Sequence, residues 1–226
     1  MRGKASAIAR TSLALLAGSL LSLPLPAVAT ERNPVLLIHG IDDTQAVMTP
    51  LGRYLQSRGW RTFAYDMVPN HGEAGFQELA SQVKQQVAMV RAQTGARKVD
   101  LVGFSLGGMV ARVYLQELGG AAEVDRLVTI SSPHHGSWMA YFRWNVLGEE
   151  LRPGSAVYQR LNRNLSAMAG VRHTAIWTPF DLMIVPSWSS VLPGAREVRI
   201  PVALHPLMLR DSRCHEAVEA ALNEEL

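Results

Sequence analysis

Two rhythms of apolar residues alternate along the chain. Apolar runs at 34–41 and 99–102, with the stretches 60–65, 126–130, 174–178 and 197–200, predict six strands. Between them the spacing turns helical. Val47, Met48, Leu51 and Leu55 recur on one face of a helix that Gly59 ends. Phe76, Leu79, Val83, Val87 and Val90 mark a longer amphipathic helix closed near Gly95. A third helix starts at Met109 and runs to Gly119-Gly120, and a last one covers 211–224. Strands alternating with helices imply right-handed crossovers, hence a parallel sheet with helices on both faces. Ligands of such sheets bind at the carboxyl ends of the strands. Residues 131–170 carry no clear rhythm and are expected to be irregular, and the rest holds no repeat or low-complexity block.

The first residues follow another logic. Arg2, Lys4 and Arg10 precede a mostly apolar run at 11–23, and Ala27-Val28-Ala29 offers a small-x-small cleavage pattern. This predicts a secretory signal peptide at 1–29, removed after Ala29, and a protein exported to the periplasm or beyond. Pro24 and Pro26 and the short apolar core argue against a membrane span. The expected mature domain, 30–226, has a composition suited to a large core, since the 226-residue chain is 48% apolar and 18% charged. Of 22 Lys+Arg and 19 Asp+Glu the leader carries three of the former, which leaves the mature chain with no net formal charge. The sequence pI of 9.3 therefore gives no support for nucleic-acid binding. One cysteine, Cys214, excludes an intrachain disulfide and a cysteine-based metal site.

Chemistry concentrates after the third strand. Val99, Leu101 and Val102 lead into Gly103-x-Ser105-x-Gly107, and Met109 opens the helical pattern behind it. Strand, G-x-S-x-G, helix is the context of a nucleophile elbow, in which a serine on a strained turn is pushed out at the carboxyl end of the sheet. Gly103 and Gly107 let strand and helix pass closely. The helix N-terminus and the backbone N–H of Leu106 favour negative charge on a bound acyl oxygen.

That elbow, the Pro-Val-Leu-Leu-Ile-His-Gly-Ile run at 34–41 and Gly-Ala-Arg-x-Val-x-Ile at 194–200 resemble bacterial class 2 lipases, small α/β-hydrolase esterases and lipases. The similarity runs from about Glu31 to the C-terminus and is weakest across 137–170. It implies an α/β fold of the α/β-hydrolase type, with a shortened, mostly parallel sheet of about six strands. In that fold the chain order is Ser, then Asp or Glu, then His. His205 lies in the loop after the sixth strand, where the fold delivers its base; His173 would start a strand and His215 lies in the last helix. Asp181 follows the fifth strand in Asp-Leu-Met-Ile-Val, similar to the run that carries the family's triad acid, though it could equally cap a short helix at 182–189. The resemblance also gives the backbone N–H of Ile41 as the second oxyanion donor, beside Leu106. His39 reads as a packed structural residue.

The expected activity is an exported carboxylester hydrolase or lipase working through Ser105, His205 and Asp181 and an acyl-enzyme, with no cofactor and no metal. The expected partners are a small-molecule or lipid ester and, transiently, a lipid surface; nucleic acid is excluded and a monomer expected. A thioesterase or amidase would use the same triad, and a non-catalytic binding protein could keep the fold. A nucleotide-binding domain fails, because the elbow lacks the P-loop lysine and no G-x-G-x-x-G follows the first strand. The loop Ser132-Pro133-His134-His135-Gly136-Ser137 reads as architecture beside the pocket rather than a zinc site. Asp42-Asp43 are expected to cap the following helix rather than bind calcium. Finally, 137–170 is a candidate cap segment. Its Trp138, Tyr141, Phe142 and Trp144 either roof an acyl-chain pocket and meet a lipid surface, or pack statically on the elbow helix.

Overall fold

A computed structural model describes residues 32–224. The expected signal peptide at 1–29 lies outside these residues. Six parallel strands form one sheet in the order β2-β1-β3-β4-β5-β6, with β1 Val35–Ile38, β2 Thr62–Ala64, β3 Val99–Phe104, β4 Val124–Ile130, β5 Arg172–Trp177 and β6 Arg196–Arg199. Side chains alternate across the sheet. Leu36 and Ile38 of β1 and Val99 and Leu101 of β3 join one core layer, with Phe76, Leu79 and Val83 of α2 (Phe76–Thr94) and Val110 and Val113 of α3 (Leu106–Glu117). Val35, Leu37, Val102, Phe104, Val128 and Ile130 face the other way, onto Leu51 and Leu55 of a helix α1 (Thr49–Ser57) and Val218 of the last helix. Both faces are thus covered, which is why these strands read as nearly continuous apolar runs.

The helix ends follow their punctuation. Gly95 caps α2 in the left-handed conformation, φ 73°, and Gly59 turns the chain after α1 at φ 91°. Strand β1 is shorter than its apolar run: the sheet ends at Ile38, and 39–41 leave it to enter the site. Residues 131–170 are not irregular as expected. They hold a 3₁₀ turn at Trp138–Phe142, α4 (Val146–Glu150), α5 (Ala156–Arg163) and a second 3₁₀ turn at Leu165–Met168. Helices of five and eight residues are too short to declare themselves by period, and only packing makes them stable. Val157, Tyr158 and Leu161 of α5 are buried in the layer that holds α2 and α3. The chain closes with α6 (Ser212–Asn223), capped by the Asp211 carboxylate on Arg213 N–H at 2.9 Å. Cys214 is buried in this helix, and burial pushes its thiol up to about 12, so it is inert packing. Among the described residues no helix is long and apolar enough to cross a membrane.

Candidate active site

Strand β3 ends at Phe104, and the next residue, Ser105, takes φ 52° and ψ −119°, a conformation that side chains rarely accept. The turn is held by Ser105 N–H donating to the Ile130 carbonyl at 2.8 Å and Gly108 N–H donating to the Ser105 carbonyl at 3.2 Å. A Cβ on Gly103 would strike the backbone of Gly108, and one on Gly107 the Ile38 carbonyl, so strand and helix touch backbone to backbone. Ser105 lies at the N-cap of α3, where the helix presents its free amides.

Two further loops meet here from the far side of the sheet. After β5, Asp181 is almost fully buried; its Oδ1 accepts the amides of Met183 and Ile184, each at 2.9 Å, and its Oδ2 accepts from His205 Nδ1 at 2.7 Å. The two expectations for Asp181 therefore meet in one side chain. It caps a turn with one oxygen and holds a histidine with the other. The helix at 182–189 is absent: those residues are bends followed by a 3₁₀ turn at Ser187–Ser190. His205 opens a 3₁₀ turn, His205–Leu209, and its ring lies 4.7 Å from that of Phe104, the residue before Ser105. With Nδ1–H committed to Asp181, Nε2 carries the lone pair, the tautomer a general base needs. Thr178 fastens the two loops to each other, its hydroxyl donating to the Val202 carbonyl at 2.6 Å and accepting Val202 N–H at 3.2 Å.

On the other flank, Gly40 brings the β1 loop against the elbow. A Cβ there would lie 3.3 Å from Ser105 Cβ. Ile41 and Leu106 line the same pocket as Ser105, together with Pro133, Met139, Ala140 and Met183. That pocket is apolar and has about 70 Å³ of open space. His39 is fully buried; its Nδ1–H donates to the Gly40 carbonyl at 2.7 Å and its Nε2 accepts Met67 N–H at 3.0 Å, so both nitrogens serve the backbone. Asp42 and Asp43 do not cap the next helical turn as expected. Thr44 occupies the N-cap without a side-chain bond. Asp42 instead pairs with Arg143 and His71. Asp43 turns in beside Gly40, where burial raises its carboxyl pKa against the pull of His39 and His205.

The adjacent histidines are architecture. His134 is buried to 0% exposure, and desolvation drives its pKa well below the ordinary histidine range. Arg112, also fully buried, can only donate, so its contact at 3.3 Å makes His134 Nδ1 the acceptor. Nε2–H of His134 then donates to Thr129 Oγ1 at 3.1 Å, and the Thr129 hydroxyl donates to His173 Nε2 at 3.0 Å. His135 ties the same loop to the carbonyl of Val191 at 3.1 Å.

The segment 137–150 covers the pocket. Ser137 Oγ donates to the Met183 carbonyl at 2.8 Å and accepts Val185 N–H at 3.0 Å, which joins the cap to the loop of Asp181. Neither Ser137 nor Thr178 had a signal in the sequence beyond being a small hydroxyl residue near a strand end. The aromatics of the cap are not core. Trp144 is 89% exposed and Phe142 77%, while Trp138 and Tyr141, three apart on a 3₁₀ turn, stack on each other at 5.4 Å. The static packing of these rings on the elbow helix is therefore overturned; Ala140 is the buried residue of the turn.

The chain is similar in sequence and fold to known proteins. A triacylglycerol lipase of Burkholderia plantarii is 32% identical over 157 residues, covering 65% of this chain and 43% of its own length. A triacylglycerol lipase of Pseudarthrobacter phenanthrenivorans is 32% identical over 125 residues, covering 53% of this chain and 39% of its own. The chain thus spans about two fifths of the length of these curated relatives. Among solved structures, the mature Bacillus licheniformis lipase BlEst2 superposes with a TM-score of 0.76 over 88% of this chain and 96% of its own at 15% identity. Aspergillus fumigatus lipase B does so with 0.73 over 86% and 53% at 17% identity. At that identity the superpositions establish the α/β-hydrolase fold. The palmitoyl protein thioesterase family matches residues 34–191, well over half of the sequence, and to that family the chain belongs.

Proposed function

We propose that the protein is an exported serine hydrolase that cleaves acyl esters through Ser105, His205 and Asp181. The observation that carries the reading is the hydrogen bond of 2.7 Å between His205 Nδ1 and a buried Asp181, with the His205 ring 4.7 Å from that of Phe104, the residue before a serine held at positive φ. In the first half-reaction His205 Nε2 takes the proton of Ser105 as Oγ attacks the acyl carbon. The amides of Ile41 and Leu106 receive the charge that develops on the carbonyl oxygen. The alcohol leaves with the proton held by His205, and water resolves the acyl-enzyme by the same path. Asp181 keeps the ring in the tautomer and orientation that both steps use. About 70 Å³ is well short of the roughly 300 Å³ that sites for larger ligands offer, so only the start of an acyl chain fits inside. The rest of a long chain would lie on the exposed Trp138, Phe142, Phe180 and Leu182, the surface through which we expect contact with lipid.

The family match is specific support for a second reading, thioester cleavage on the same triad. A matched series of p-nitrophenyl esters and acyl thioesters from acetyl to palmitoyl separates the two. The ester reading expects kcat/KM to be higher on esters at every chain length. Fluorophosphonate labelling of the wild type, absent in Ser105→Ala, checks the nucleophile itself. No labelling of the wild type would leave a binding protein on a hydrolase fold.

A further inference from the structure

The oxyanion loop does not hold itself. Asp42, next to Ile41, adopts φ 60°, a left-handed conformation that aspartate accepts more readily than most residues, and two distant segments hold it there. Asp42 N–H donates to the Asn70 carbonyl at 3.3 Å, and Asn70 Nδ2 donates back to the Asp43 carbonyl at 2.7 Å. The Asp42 carboxylate meets His71 Nδ1 at 3.1 Å and pairs with the guanidinium of Arg143. Arg143 stands at the end of the cap turn and lines the same pocket as Ser105 and Ile41. Its Nη1 also donates to the His71 carbonyl at 3.2 Å, which Asn145 Nδ2 reaches at 3.0 Å. Leu147 N–H donates to the Gly72 carbonyl at 3.2 Å, and a Cβ on Gly72 would run into the Asn145 side chain. The loop around 70–72 is thus clamped between the cap and the oxyanion loop.

We propose that Asp42 and Arg143 are positioning residues that fasten the cap to the oxyanion loop and so aim the Ile41 amide at the substrate oxygen. The inference rests on the reading of Ser105 as nucleophile and Ile41 as oxyanion donor. A lone ion pair at this exposure would count for little. This one ties down a loop whose neighbouring amide must be placed to within a fraction of an ångström, and a misplacement of about 1 Å costs on the order of 100-fold in rate. Phe142 and Trp144, both exposed, flank Arg143.

The test uses Asp42→Gly, Arg143→Ala, Arg143→Lys and the double variant Asp42→Gly/Arg143→Ala on p-nitrophenyl butyrate. Glycine accepts φ 60° freely, so Asp42→Gly removes the carboxylate without adding strain. The expected result is a fall in kcat of about 10- to 100-fold in both single variants. KM should stay within about threefold, and the double variant should be no worse than either single one. Arg143→Lys should recover most of the loss. Affinity for a butyl trifluoromethyl ketone, whose adduct carries the oxyanion, should fall by the same factor as kcat/KM. Unchanged kcat, losses that multiply in the double variant, or an unchanged ketone affinity would each overturn the latch. So would a loss that tracks a lowered Tm and that lysine does not rescue. Ser105→Ala, assayed alongside, separates this from the reading beneath it: an active Ser105→Ala removes the elbow, whereas an inactive one with a normal Arg143→Ala removes the latch alone.

Discussion

Ser105 and Asp181 are each held by groups other than the one they face, and that decides what a substitution at each would do. Ser105 is fixed by backbone bonds to Ile130 and Gly108, so Ser105→Ala leaves the elbow standing. Asp181 spends one oxygen on the Met183 and Ile184 amides and the other on His205. His205→Ala should therefore lower kcat on p-nitrophenyl butyrate by about 10⁴- to 10⁶-fold with a normal Tm. Asp181→Asn should cost less in kcat, of order 10⁴-fold or below, with Tm near normal, because its oxygen can keep the Met183 and Ile184 amides while its amide nitrogen donates to Nδ1 and turns His205 to the Nε2–H tautomer, which cannot take the serine proton. A His205→Ala enzyme of near-normal activity would refute the choice of base. These residues were legible because chemistry at strand ends follows a fixed chain order. Thr178, Ser137 and Arg112 were not. Besides a local bond, each acts through partners between 22 and 50 residues away, mostly backbone or amide groups, and no local spacing encodes such a pairing. The same holds for Asp42, where local capping chemistry lost to an ion pair with the distant Arg143.

Elements were legible in proportion to their length and regularity. The central strands stand out as short apolar runs and the long helix α2 follows the helical period, closely enough to be read directly, and the register that joins Ile38 to Gly103 and Phe104 to Ile130 brings the strand ends level. The cap was hidden because its order is short and held from outside. Its sequence signals are local, such as Asn145 accepting Gly148 N–H at 2.9 Å to start α4. The exposure of Trp144 and Phe142 assigns these rings to a surface, not a core. Trp144→Ala and Phe142→Ala should accordingly leave Tm within a degree or two of the wild type, since surface changes of this kind stay within about 0.5 kcal/mol. Turnover of palmitoyl esters presented on vesicles or emulsions should fall several-fold more than that of soluble butyrate esters. Equal losses on both substrates would mean that the rings serve the pocket and not the lipid.

Across the whole molecule the sheet has two chemically different ends. The carboxyl ends of the strands carry the candidate catalytic loops, and the amino ends carry a cluster of charges that takes no part in them. There Asp100 of β3, 1% exposed, meets Arg126 at 3.5 Å and Asn33 at 3.2 Å, while Asp125 pairs with Arg126 and Arg172. Burial outweighs the pull of Arg126 and Asn33 and lifts the Asp100 carboxyl from 3.8 to about 6. A carboxyl whose pKa is raised in the folded state holds its proton more tightly there than in the unfolded chain. The stability it contributes is therefore complete below about pH 4 and is lost as pH rises through about 6. At 1.4 kcal/mol per unit, the cost of keeping it ionised at neutral pH is of order 2–3 kcal/mol. Asp100→Asn removes that charge and keeps a group that can bond Asn33. Relative to the wild type, the variant should gain stability as pH rises from about 4 to about 6, most steeply near pH 5, and hold that gain to pH 7.5, in denaturant melts of both proteins run side by side. The other carboxylates titrate equally in the two chains and cancel in the difference. Activity at pH 7.5 should be unchanged, since Asp100 sits at the opposite end of β3 from Ser105. A stability difference that stays flat with pH, or runs the other way, would show that the Arg126 pair dominates and that Asp100 is ionised throughout.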